Sequence, residues 1–302
     1  MNRDKIVIGS RGSKLALIYA EKVKSKLIDN CSIKIEIKPI ITEGDVNQKD
    51  RLSEVGGKGL FSKKIESELL ENKIDIAVHA LKDMPGIETK GLVTNCFLKR
   101  NYPNEILISK NNIKFNKLKS KSIIGTSSYR REYQLKHMRS DLSYKLIRGN
   151  VDTRIKKLNE GLYDAIILSK AGIDSLNLND HITQEFSIEE IIPSAGQGVI
   201  AVQCRNGDKD IKEILKKINH EETNTCCVAE RELLKTLEGD CNTAIGAISI
   251  LDQNTITLNV ELFSKDGKKR YFIKDSKDLS LAKELGNEIG ELLKKKSQGA
   301  YK

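Results

Sequence analysis

The chain contains no tryptophan, and aromatic residues make up only 5% of its 302 positions. That scarcity argues against the stacking platforms that hold single-stranded nucleic acids. No apolar run approaches the ~20 residues a membrane-spanning helix needs. The first residues, Met1-Asn2-Arg3-Asp4-Lys5, run straight into Ile6-Val7-Ile8, with no h-region and no small-residue cleavage site. No secretory signal is read there, and a soluble cytoplasmic protein is expected. Cysteine builds no framework. Cys31, Cys96, Cys204, Cys226, Cys227 and Cys241 are scattered, and the adjacent pair 226–227 lacks zinc-ligand spacing. Reduced thiols, most of them buried as small hydrophobes, are expected. His79, His137, His181 and His220 form no paired motif, so no metal site is expected.

Against these absences stand 38% hydrophobic residues, enough for a real core, and a length that suits two to three domains. Lys plus Arg number 52 against 42 Asp plus Glu, a net charge of +10. A nucleic-acid partner, a solvated lysine-rich surface and a pocket for a multiply anionic small molecule all fit that surplus. Most lysines, such as Lys22, Lys24 and Lys26 or the run Lys294-Lys295-Lys296, lie on diluted helix faces and read as surface. The arginines cluster differently.

Ile6-Val7-Ile8 reads as a buried strand, and Ser13 as the cap of a helix in which Leu15, Tyr19, Val23 and Leu27 recur every four residues. Ile33 to Lys38 alternates with period two, a strand. Phe61, Ile65 and Leu69 mark a helix, and Ile74 to Val78 a second buried strand. Alternation restarts near residue 105, with strands at Ile106–Ile108, Ile123-Ile124, Tyr144–Ile147 and Ala165–Leu168, and helices over about 128–138 and 151–160. Such alternation predicts α/β layering, with one architecture shared by the two halves. After Gln203 the texture changes. Helices over about 208–218 and 221–237, strands at 244–251, 255–263 and 270–274, and a last helix near 280–296 predict a separate small α+β unit.

Two glycine clusters resemble phosphate loops and fail as such. Gly56-Gly57-Lys58-Gly59 lacks the Ser or Thr after its Gly-Lys pair. Gly196-Gln197-Gly198 opens onto a strand-like stretch rather than a helix, so close backbone approach or hinge motion is the better reading. Gly125-Thr126-Ser127-Ser128-Tyr129-Arg130-Arg131 carries more chemistry. A strand ends, hydroxyls follow, and a helix begins with two guanidinium forks, which together make an anion site. Taken alone it also reads as an ordinary N-cap followed by solvated arginines. Arg148-Gly149-Asn150-Val151-Asp152-Thr153-Arg154 repeats the arrangement, and Arg11 gives a third instance. His79-Ala80-Leu81-Lys82-Asp83-Met84-Pro85 follows a buried strand, where ligands of open α/β sheets sit, although a surface Lys-Asp turn has the same letters. Pro85 disfavours helix at Met84. Glu238-Gly239-Asp240-Cys241 puts a cysteine on a loop.

Together with Gly-Ser-Arg-Gly-Ser at 9–13 and Val-Gly-Gly-Lys-Gly-Leu-Phe at 55–61, these motifs resemble the porphobilinogen deaminase (hydroxymethylbilane synthase) family over essentially the whole chain. The resemblance implies a transferase of tetrapyrrole (haem) biosynthesis. It would join four porphobilinogen units, with loss of ammonia each time, into linear hydroxymethylbilane on a covalent dipyrromethane. It implies two periplasmic-binding-protein-like lobes around a cleft, 1–99 with 196–216 and 100–195, plus a small α+β domain over 217–302. By motif match Cys241 carries the dipyrromethane as a thioether, and Asp83 is the catalytic carboxylate. Lys82, Thr126, Ser127, Ser128, Arg130, Arg131, Arg148, Gly149, Arg154 and Gln197 would hold the cofactor. Arg11, Ser13, Lys58, Arg148 and Arg154 would hold substrate. The partners implied are porphobilinogen and the growing polypyrrole, with no nucleic acid, no membrane and a monomeric enzyme. Two departures stand out. Ala80 replaces a common Ser, and Ser175, closing Ala171-Gly172-Ile173-Asp174-Ser175, replaces a common Arg for which Lys170 is a candidate substitute. A non-catalytic anion receptor of the same fold is the main rival, and it would need neither Asp83 nor Cys241.

Overall fold

The computed structural model describes residues 4–46, 59–239 and 243–302. In chain order its elements open with β1 (Lys5–Arg11), α1 (Lys14–Ile28), β2 (Lys34–Ile40), α2 (Glu43–Val46), α3 (Lys63–Leu70), β3 (Ile76–Ala80) and β4 (Leu92–Phe97). The chain then leaves for β5 (Glu105–Ser109), β6 (Ile123–Gly125), α4 (Tyr129–Met138), β7 (Ser143–Lys145), α5 (Val151–Asn159), β8 (Ala165–Ser169), α6 (Lys170–Ser175) and β9 (Gln184–Glu185). It returns through β10 (Ile200–Arg205) and α7 (Lys209–Lys216), and ends in α8 (Glu221–Leu237), β11 (Ile245–Asp252), β12 (Thr255–Phe263), β13 (Arg270–Asp278) and α9 (Ala282–Ser297).

Three sheets organise these elements. The first runs β2-β1-β3-β10-β4 and the second β7-β6-β8-β5-β9. In each, three strands pair in parallel through right-sized helical crossovers, and the fourth is antiparallel. The fourth strand is supplied by the chain just after it crosses between sheets: β5 on the way out and β10 on the way back. The two halves therefore share one architecture, as expected. Within β5 and β8, Ile106–Ile108 and Ala165–Leu168 read as unbroken apolar runs because helices cover both faces of their sheet. One face packs Leu107, Ile124, Leu135 and Phe186, and the other Ile106, Ile108, Ile155 and Ile166. In the first lobe Ile6, Ile8, Val23, Leu27, Val78 and Val202 form the main core.

The tail is a meander, β11-β12-β13, with α8 and α9 laid on one face over Leu233, Leu258, Val260, Leu285 and Ile289. Gly286 is required there. A Cβ would stand 2.2 Å from the Ala229 carbonyl oxygen of α8, so only glycine lets the helices approach this closely. Among the described cysteines, Cys96, Cys204, Cys226 and Cys227 are buried free thiols and Cys31 is half-buried.

Several boundaries differ from expectation. The strand expected at 74–78 lies at Ile76–Ala80, and the last tail strand runs on to Asp278. The α1 stripe divides. Val23 and Leu27 enter the core, whereas Leu15 and Tyr19 stay half-buried against the cleft. A repeat of four advances about 40° per step on a 3.6-residue helix, so its two ends face different surroundings.

Candidate active site

The parallel strands β1, β3, β6 and β8 point their carboxyl ends into the space between the two lobes, and the chemistry-bearing residues follow those ends. After β3 the chain makes a short 3-10 turn over Leu81–Asp83. Leu81 is the buried pin of that turn, its N–H donating to the Val199 carbonyl at 3.0 Å. Met84 is extended, at φ −87 and ψ 144, as Pro85 demands. The turn presents Lys82 and Asp83 to the cleft. Asp83 shares a cavity of about 50 Å³ with Arg11, Ser13, Tyr19, Phe61 and His79. The Arg11 guanidinium carbon lies 4.0 Å above the Phe61 ring, a cation–π contact. Ser13 caps α1, its hydroxyl accepting from Ala16 N–H at 3.4 Å.

The facing lobe contributes two helix starts. Ser128 caps α4 by accepting from Arg131 N–H at 3.4 Å, while the Thr126 hydroxyl accepts from Ser128 N–H at 3.2 Å; Ser127 is half-buried beside them. Arg130 and Arg131 are both buried and share one fully buried carboxylate. Arg130 Nη2 reaches Glu105 Oε1 at 2.6 Å, and Arg131 Nη2 reaches Oε2 at 2.8 Å. Burial would push the Glu105 carboxyl up, but Arg131 and Arg130 hold it down at about 2. Arg130 also donates to the Ile192 carbonyl at 3.0 Å, so its fork is spent on the protein. Arg131 keeps Nε buried with no partner among the described residues. Gly149, at φ +111, turns the chain after buried Arg148 and accepts from Arg154 Nε at 2.8 Å. A Cβ there would meet Thr153 at 2.6 Å.

Lys82 Nζ crosses the cleft to donate to Ser169 Oγ at 3.3 Å. Burial and then Arg131 bring its ammonium down to about 8, with Asp83 opposing. Burial, Arg131 and Arg148 likewise lower Arg154 to about 10, again against Asp83. These cations crowd one another around only two carboxylates, Asp83 and Glu105, and a carboxylate-rich guest would offset their mutual repulsion. The residues therefore fit an anionic dipyrromethane, with the orphaned Arg131 Nε as a ready donor.

Other expected residues fall elsewhere. Gln197 is fully buried, donating to the Pro103 carbonyl at 2.6 Å and accepting from Ser194 Oγ at 3.3 Å, within the two crossing segments. Lys58 and Cys241, with Gly56, Gly57 and Asp240, lie outside the described residues. Lys170, the candidate substitute for the missing arginine, pairs with Asp174 at 2.8 Å and lies over the Tyr102 ring. Ser175 instead accepts from Lys22 of the opposite lobe at 3.3 Å. Sequence reading missed Glu105, which sits twenty residues from the nearest motif on either side, and the buried set Glu66, Gln203 and His79, of which only His79 lay in one. A depression of about 460 Å³ on α5, lined by Asp152, Ile155, Glu160 and His181 among others, contains none of the expected site residues.

Fold and cleft define a two-lobed α/β protein whose cleft gathers cations around two carboxylates, Asp83 and Glu105, with a third small domain beside it. The chain belongs to the porphobilinogen deaminase family. The family's dipyromethane cofactor binding domain matches residues 6–213 and its C-terminal domain residues 224–295. The chain is 41% identical to the porphobilinogen deaminase of Staphylococcus epidermidis over 304 residues, covering 98% of this chain and 96% of that one. It is 40% identical to that of Staphylococcus aureus over 302 residues, with the same coverage. Among solved structures, the periplasmic VFT2 domain of Bordetella pertussis BvgS aligns at a TM-score of 0.42 and 13% identity, covering 71% of this chain and 85% of that one. Family membership makes the chain a transferase of tetrapyrrole biosynthesis that forms hydroxymethylbilane on a dipyrromethane cofactor.

Proposed function

We propose that the cleft between the two five-stranded sheets is where this chain joins porphobilinogen units, with Asp83 as the catalytic carboxylate. The lobes are taken as 1–99 with 196–216 and 100–195, with 217–302 as the domain carrying Cys241. One observation supports this best: Asp83 shares its surroundings with Lys82, Arg131, Arg148 and Arg154, delivered by strand ends of both lobes. Porphobilinogen and the growing chain carry acetate and propionate groups, which Arg131, Arg148, Arg154, Arg11 and Lys82 would bind at roughly 1.5–3 kcal/mol each where partly desolvated. Arg130 positions Arg131 by sharing Glu105, and Gln197 holds the crossing segments. When bound, the dipyrromethane supplies the primer for the first condensation; Lys58 and Cys241 are assigned to substrate and thioether by motif alone.

Loss of ammonia from porphobilinogen breaks the methylene C–N bond, the electron pair leaving with nitrogen after protonation, and places positive charge on the pyrrole. Asp83 stabilises that charge where it develops and takes up a proton in the acid–base steps around it. The protein is expected as a monomer in the cytoplasm, binding neither nucleic acid nor membrane.

The test is Asp83→Asn in single-turnover kinetics on protein whose intact mass shows the cofactor. The rate is expected to fall by roughly 10²–10³ with porphobilinogen affinity little changed, because the cations supply ground-state binding. Cys241→Ser is the control arm and should give the bare chain mass. Near-normal chemistry with lost affinity in Asp83→Asn would sink the charge-stabilisation role.

A further inference from the structure

Behind the Asp83 cavity runs a buried polar chain that the mechanism above leaves unused. Glu66 of α3 lies almost wholly buried and accepts twice: from Thr89 Oγ1 at 2.9 Å on Oε2, and from Gln203 Nε2 at 3.0 Å on Oε1. Gln203, fully buried on β10, meets His79 Nε2 with its other end, Oε1, at 3.2 Å. The polarity of this chain is not free. A carboxylate oxygen only accepts, so the amide NH₂ of Gln203 faces Glu66 and its carbonyl oxygen faces the imidazole. An oxygen facing Nε2 requires a proton on Nε2. Neutral imidazole carries one proton, so Nδ1 is left with its lone pair. Among the described residues the ring makes no hydrogen bond besides that to Gln203, and His79 lines the cavity that holds Asp83.

We propose that Glu66, through Gln203, locks His79 as the neutral Nε2–H tautomer, so that Nδ1 is a fixed hydrogen-bond acceptor for a pyrrole N–H in the Asp83 cavity. This rests on the reading of that cavity as the condensation site. The arrangement separates two tasks. Asp83 brings charge to the developing cation, while His79 brings an acceptor without charge. An imidazolium at this position would face Asp83 and cancel the charge it brings to the reaction. Three charged groups act on the ring: Glu66 and Asp83 favour its protonation and Arg231 opposes it. Burial outweighs them all and lowers the ring to about 4, so it stays neutral through the physiological range.

The test is nitrogen NMR of ¹⁵N-histidine-labelled holoenzyme between pH 6 and 8, the His79 pair being assigned by its absence from a His79→Asn spectrum. Nε2 is expected protonated and Nδ1 unprotonated throughout, with the Nδ1 signal shifting when porphobilinogen is added. Glu66→Gln removes the obligate acceptor, so Gln203 is free to turn over and its NH₂ to face the ring. The Nδ1–H form should then appear, and turnover should fall roughly three- to tenfold, the worth of one neutral hydrogen bond, at nearly constant KM and with the cofactor mass retained. An Nδ1–H ring or an imidazolium in the unaltered enzyme overturns the proposal. So does a Glu66→Gln enzyme that keeps the Nε2–H form, or one that switches tautomer at full turnover. A failure of the condensation-site reading would show separately, as an Asp83→Asn enzyme with unimpaired single-turnover chemistry and an unchanged His79 tautomer.

Discussion

Arg130 and Arg131 would be costly to bury were Glu105 not between them. Removing one partner of a buried ion pair leaves an uncompensated charge, at roughly 3–5 kcal/mol. Glu105→Gln keeps the shape but not the charge, and denaturant unfolding at neutral pH should show a loss of that size. The pH window follows from the sign of the shift. The Glu105 carboxyl sits near 2 when folded against an ordinary 4.5, so its contribution is fully present above 4.5 and is lost as pH falls toward 2. At roughly 1.36 kcal/mol per pH unit that amounts to about 3 kcal/mol, absent from the acid-unfolding profile of Glu105→Gln. Lys82 titrates from the other side. Its ammonium is brought to about 8, so it is cationic below that value and loses its charge as pH rises through it. The KM for porphobilinogen should therefore rise above pH 8. Lys82→Arg should flatten that rise, because guanidinium stays charged. A KM independent of pH between 7 and 9.5 in the unaltered enzyme would mean that Lys82 touches no substrate carboxylate.

At the scale of elements, period and capping made most of the fold legible. Ser13, Ser128 and Asn150 were readable as helix starts, and all three hold N-cap positions, although Asn150 caps through backbone alone. β4 escaped because its letters come in like pairs, Leu92-Val93, Thr94-Asn95 and Cys96-Phe97, and because its pairing with β10 shifts register between Val202 and Gln203. β9 is two residues long and carries no period at all. Motif residues were legible as a group, but their division of labour was not. Whether an arginine faces a ligand or a buried glutamate depends on contacts 25 or more residues away, as between Arg130 and Glu105. The glycines at 196 and 198 were readable as close-approach points, and the structure gives the reason. Both have positive φ, and a Cβ at Gly198 would stand 2.4 Å from the Asn101 carbonyl oxygen. Backbone cannot yield as a side-chain end can. Gly198→Ala should thus cost at least about 2 kcal/mol, left-handed strain plus the clash, measured by denaturant unfolding. A loss under about 0.5 kcal/mol would show that the crossing relaxes freely.

On the scale of the whole molecule, two strands of chain join the lobes, and a cleft that must hold a lengthening product needs them firmly placed. The third domain does this through one carboxylate. Glu230 of α8 accepts from Gly196 N–H of the returning crossing at 2.7 Å, from Arg100 Nη2 of the outgoing one at 2.8 Å, and from Ser249 N–H of β11 at 2.8 Å. Around it, Arg100 N–H donates to Thr223 Oγ1 at 3.0 Å, and His220 N–H donates to the Phe97 carbonyl at 2.8 Å. The Arg100 Nε and Nη1 atoms are buried without partners among the described residues, so the ion pair carries nearly all the compensation for that guanidinium. Burial would lower the Arg100 guanidinium, yet Glu230 holds it above its ordinary value. Either Arg100→Leu or Glu230→Leu should therefore destabilise by roughly 3–5 kcal/mol, each leaving the other charge stranded. In the double variant no charge remains, and its cost should fall short of the sum of the single costs by at least about 1 kcal/mol. The cycle, measured by denaturant unfolding, decides between two architectures. Coupling of that size means the crossings and the third domain share one brace. Simple additivity would mean that α8 leans on the lobes through apolar packing, and that Glu230 serves each crossing independently.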